Sequence, residues 1–185
     1  MTDERPWVRV QFETCEECGF DPAEVGPGDL PGAIRALERR YRIPLTRFLP
    51  GEDADVVVRA RPSADTWSAL EYACHVRDVL GVFDQRVTLA LTEADPVLGW
   101  WDHEAAAVEE AYNAQDPVQV VDALARRAEA LAVIFEAVPG DGWKRSATRR
   151  DGEVFTVAGM GRFALHEGSH HLLDIGRSLR AARGR

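Results

Sequence analysis

Between about residues 66 and 93 the chain reads "TWSALEYACHVRDVLGVFDQRVTLALTE", and Tyr72, Val76, Val79, Leu80, Phe83, Val87 and Leu91 recur in it at helical spacing. A stripe of that length runs through about five helical turns. It can be buried only by other long helices. Three further segments qualify. After Pro31, Ile34, Leu37, Tyr41, Leu45 and Phe48 keep helical spacing, with Pro44 expected to kink or divide that helix. "DPVQ" opens another, with Asp116 as cap, Pro117 in the first turn and Gln119 completing a capping box. It should run to about Val138 with Val121, Leu124, Ala128, Leu131 and Phe135 inward. The last begins near Thr156 and continues to about Arg180. The expected fold is all-α, a four-helix bundle with one long crossover.

The connections carry their own signals. Ser63, Asp65 and Thr66 offer N-cap chemistry for the second helix, and Pro96 closes it. The crossover holds Trp100 and Trp101 and a short helix over about 102–115. "PGDGWKRSATRRDGEVFT" cannot be helical, and Asp151-Gly152 within it predicts a small hairpin or tight loop. Residues 1–29, rich in Glu, Pro and Gly, read as an irregular arm before a bundle over 30–183.

The 185 residues carry a net charge of −9, which argues against a nucleic-acid or anionic-membrane partner. No apolar run reaches the roughly 18 residues of a membrane span. The charged start "MTDERPWVRVQFETCEECGF" lacks a signal-peptide core, so a cytoplasmic location is expected. In that compartment the three cysteines read as reduced thiols or metal ligands. Arg145, Arg149 and Arg150 form a basic loop, either solvated or receiving an anionic part of a substrate.

The chemistry concentrates in "HEGSHHLLDIGRSL". His166 and His170 stand about 40° apart on one helical face, where two imidazoles can grip one ion. The bland alternative is a pair of partly buried histidines bonded to carboxylates. His75 lies on the rim of the second helix's stripe, with Glu71 and Asp78 a turn to either side. Asp78 there, and Asp174 one turn beyond His170, are candidates to orient ligand rings. His171, about 100° round from His170, cannot easily share its ion and is a candidate to line the substrate pocket. Cys15 and Cys18 form a C-x-x-C-G resembling half a zinc knuckle. They are open to four readings: a redox dithiol, half of a site shared between subunits, a metal pair completed by histidines, or a reduced structural pair.

The histidine in "WSALEYACHVRDVL" and the H-x-x-x-H-H of the last helix resemble the DinB-like superfamily over about 30–180. Its actinobacterial members have similar "WSALEYA-H-RDVL" and "LHD--HHL-DV" segments and often a "C-ECGFD" near the start. The superfamily includes mycothiol-dependent maleylpyruvate isomerase and bacillithiol or mycothiol S-transferases. The resemblance implies one divalent metal on His75, His166 and His170, zinc first and nickel or iron as alternatives. It also implies a low-molecular-weight thiol of the mycothiol type as cosubstrate and a small electrophile as substrate. Three imidazoles leave a position open for a thiolate, or for water in a hydrolase. A metal-bound bundle that binds a small molecule without turnover is the reading from outside enzymology. Superfamily members are frequently dimers, and Leu165, Leu172, Ile175 and Leu179 form a second apolar face that a neighbouring helix or a second subunit must cover.

Overall fold

The computed structural model describes residues 7–149 and 152–184. Four long helices carry the fold: α1 (Leu30–Thr46), α3 (Ala69–Thr92), α5 (Pro117–Ala137) and α6 (Val157–Ala182). Two short ones, α2 (Ala54–Arg59) and α4 (His103–Glu109), lie in the connections. α1 and α3 occupy opposite corners of the bundle, each packed between α5 and α6. Tyr41, Leu80, Leu124, Phe135 and Met160 are distributed along its core with almost no exposure.

Pro44 neither divides nor ends α1, which continues to Thr46. It stands in the final turn, where only the last of the helix remains to be disturbed. α3 starts later than its serine- and threonine-rich approach predicts. Its cap is Ser68, in a capping box with Glu71. Ser63 and Thr66 instead pair with each other across a tight bend. Asp116 and Thr156 cap α5 and α6 as expected.

The stretch read as non-helical begins with a short 3-10 helix at Gly140–Lys144 and then forms a hairpin of β2 (Ser146–Arg149) and β3 (Val154–Thr156), with Gly152 at φ +89° in the turn. A two-residue strand, β1 (Val97–Leu98), joins β2 in parallel, Val97 opposite Thr148. Sequence periodicity cannot announce a strand of that length. The small sheet closes one end of the crossover and brings the Trp100–Trp101 segment against α3. Arg145 donates to Ala90 O at 2.7 Å and Glu93 O at 2.6 Å, capping α3, so it is not available as a substrate group.

Of the second apolar face, Leu165, Ile175 and Leu179 are buried within the single chain and Leu172 is half-buried against the core. The arm runs beside α6 as a strap. Gln11 lies against Gly159, Cys15 reaches His170, and Glu17 pairs with Arg177. Among the described residues no helix is long and apolar enough to cross a membrane.

Candidate functional site

A cleft of about 1410 Å³ opens between α3, α6 and the crossover, with Trp67, Tyr72, Trp101 and His103 on its walls. At its base α3 contributes His75, and α6 contributes Glu167 and His171. One ligand atom from each of the three lies within 4.8 Å of the others; His75 and Glu167 are buried, and His171 keeps a small exposure to the cleft. His75 Nε2 is 3.4 Å from Glu167 Oε2, and His171 Nε2 is 3.5 Å from the same oxygen. These separations are long for hydrogen bonds. They match the edge of a tetrahedron of N and O ligands, about 3.4 Å for metal–ligand distances near 2.05 Å.

The surroundings suit a metal. Asp174 Oδ2 sits 3.0 Å from His171 Nδ1, accepting its proton and turning Nε2 toward Glu167. Trp101 stacks on His75 with 13° between the rings, and Tyr72 stacks on His171 at 5.2 Å. Burial drives the His75 pKa down to about 4, so the ring is neutral at pH 7 and has a lone pair to offer. Burial also opposes charge on His171 and Glu167. The Asp174 and Glu167 carboxylates outweigh it and lift His171 to about 9, so its ring has to release a proton when a cation binds, while the surrounding imidazoles hold Glu167 well below the usual carboxylate range. His75 Nδ1 and Glu167 Oε1 have no hydrogen-bond partner among the described residues. Buried, converging donors of this kind fit a divalent ion.

His166 and His170 are not brought to His75. Their face of α6 turns to the arm, where they gather with Cys15 and Cys18, one ligand atom from each within 4.8 Å. Asp78 is also engaged elsewhere than expected. It accepts from Arg77 at 2.7 and 2.9 Å and from the Tyr112 hydroxyl at 2.6 Å, away from the free nitrogen of His75. Asp174 orients His171 closely and stands 3.8 Å from His170 Nε2. Arg149 lines the cleft and pairs with Glu153 at 3.5 Å, whereas Arg150 lies outside the described residues. Cys74 is a core thiol, pushed up to about 12 by burial. Glu167 is the site residue the sequence reading passed over. Glu167 and His171 are themselves an i, i+4 pair, offset by one residue from His166 and His170.

Residues 52–175, which include α3 and the ligand-bearing part of α6, match the sequence model of the DinB superfamily. The chain belongs to the DinB superfamily. The structure resembles that of YfiT from Bacillus subtilis, described as a probable metal-dependent hydrolase with an unusual four-helix bundle topology. The TM-score is 0.76 at 17% identity, over 89% of this chain and 94% of YfiT, which establishes a shared fold. No curated protein matches the sequence. In DinB terms, the arm with Cys15 and Cys18 lies outside the matched segment.

Proposed function

We propose that this DinB protein is a metal-dependent enzyme that transfers a low-molecular-weight thiol to a small electrophile, with His75, Glu167 and His171 holding one divalent ion, most simply zinc. The observation that carries the reading is the convergence of these three donors at ligand-edge spacing at the base of the cleft. A divalent ion held there supplies a Lewis acid that keeps a thiol deprotonated at neutral pH. Asp174 fixes the tautomer of His171. Trp67 and Trp101 pack around the His75 ring and keep bulk water from it. The cleft, at about 1410 Å³, has room for a thiol and a small electrophile together. Arg149 on its wall is placed for an anionic part of either one.

Hydrolysis is the second reading. Two histidines and a glutamate are a donor set that zinc hydrolases use with water in the open position. The test is to load the purified chain with zinc, nickel or iron(II) and offer an epoxide, an aryl halide and an activated ester, each with and without a thiol. Turnover that needs both metal and thiol is expected. It should disappear in His75→Ala and Glu167→Gln, and Asp174→Asn should weaken metal affinity by about 10–100-fold. Ester cleavage indifferent to thiol would make it a hydrolase. Failure of the cleft residues to affect metal content would sink both readings.

A further inference from the structure

The arm and α6 meet at a cluster of donors that the cleft chemistry does not employ. We propose that Cys15, Cys18, His166 and His170 form a closed, four-coordinate zinc site that fastens the arm to α6. Two thiols and two imidazoles present one donor atom each within a 4.8 Å sphere. Cys15 Sγ and His170 Nδ1 are 3.6 Å apart. A tetrahedral zinc with bonds of about 2.3 Å to sulfur and 2.05 Å to nitrogen has an S···N edge of roughly 3.6 Å.

The arm's local fold is that of a thiolate cradle. Cys15 O accepts from Gly19 N at 2.8 Å, and Cys15 N donates to Phe20 O at 2.9 Å. Gly19, at φ +75°, turns the chain where a side chain would be strained. Burial raises the Cys15 thiol, but hydrogen bonding from the backbone and from His166 and His170 outweighs it and brings the thiol down to about 6, whereas burial and the neighbouring Cys15 push Cys18 up to about 11. A metal that takes both sulfurs displaces the Cys18 proton on binding.

The histidines are held as ligands are. His170 Nδ1 faces Cys15, while its Nε2 lies 3.6 Å from Glu17 Oε2 and 3.8 Å from Asp174 Oδ2. Glu167 Oε1 is 3.7 Å from His166 Nδ1, and the Phe20 ring meets His166 edge-on at 5.5 Å. Carboxylates beside the second ring nitrogen orient a ligating imidazole. With all four positions filled by protein, the site is structural rather than catalytic. On zinc binding the remaining thiol proton passes to solvent and nothing is oxidised.

The experiment uses the full chain, prepared under reducing conditions and reconstituted with cobalt(II) as the spectroscopic probe. An intense near-ultraviolet thiolate-to-cobalt band is expected, together with the visible bands of a tetrahedral ion. Cys15→Ser and Cys18→Ser should abolish the thiolate band and lower zinc content by one ion per chain. His171→Ala, which removes a cleft donor, should leave the band intact, and so should Cys74→Ser. This separates failure of the arm site from failure of the cleft reading. Should the arm variants misfold, the band in the parent protein decides alone. A parent without the band, or a Cys15–Cys18 disulfide in the reduced preparation, would overturn the proposal.

Discussion

The carboxylate of Glu167 has imidazoles on three sides, and its two oxygens face different clusters. Next to it, Gly168 lets α1 approach α6. A Cβ there would stand 2.5 Å from Leu37 Cδ1, and the Gly168 carbonyl accepts from the Tyr41 hydroxyl at 2.8 Å. Replacing it with alanine gains about 1 kcal/mol of helix propensity. The same change over-packs a fully buried leucine, at about 1–3 kcal/mol. The second effect should win. Gly168→Ala is expected to be less stable by about 1 kcal/mol in chemical denaturation, and the loss should vanish in a Leu37→Ala background. From the sequence, His166 and His170 were visible as a pair, and so was the rim position of His75. Which pair faces His75 was not visible, because two i, i+4 pairs offset by one residue have the same period. Only the rotational setting of α6 against its neighbours chooses between them, and that setting depends on side chains distributed along three other segments.

At the scale of the element, the start of α3 controls where His75 stands. Ser68 and Glu71 close the capping box, and Arg61 clamps Glu71 through Nε at 2.9 Å. Burial alone would raise the Glu71 carboxyl. Arg61 and Ser68 outweigh it and lower the pKa below its ordinary 4.5. The folded state therefore prefers the ionised form. This stabilisation is complete above the unfolded value and fades as pH falls through the lower folded one. Glu71→Gln should be about 1–3 kcal/mol less stable at pH 7, with the difference from the parent shrinking as melts are taken at progressively lower pH below 4.5. A constant difference across that range would assign the effect to packing. The long helices were legible because each repeats its apolar spacing over several turns, and α5 announces its cap at Asp116. β1, with two residues, and α2, with six, are too short to establish a period. The cap of α3 was obscured by three equally plausible cap residues just upstream of Ser68.

For the whole molecule, the strap is the part that hydropathy could not place, since its few apolar groups show no period. Phe20 and Val25 nevertheless pack against the bundle core. Deleting residues 1–29 should remove roughly 3 kcal/mol from that packing alone, lower Tm by on the order of 10 °C, and admit a hydrophobic dye to α6. An unchanged melt would mean that the strap merely rests on the bundle. Residues 11–17 of the strap follow α6 in the same direction, from Gly159 through His170 toward Arg177, before the chain turns back to set Val25 beside Arg162. Its contacts consequently sit side by side with respect to a pull along the helix axis. Stretched between residue 7 and the end of α6, the strap is loaded in shear, with its attachments sharing the force and breaking together. Drawn sideways from residue 7, the same strap would peel, one attachment at a time and at far lower force. The fold thus has a mechanically strong direction and a weak one, both set by the course of a segment built of short 3-10 turns and irregular chain.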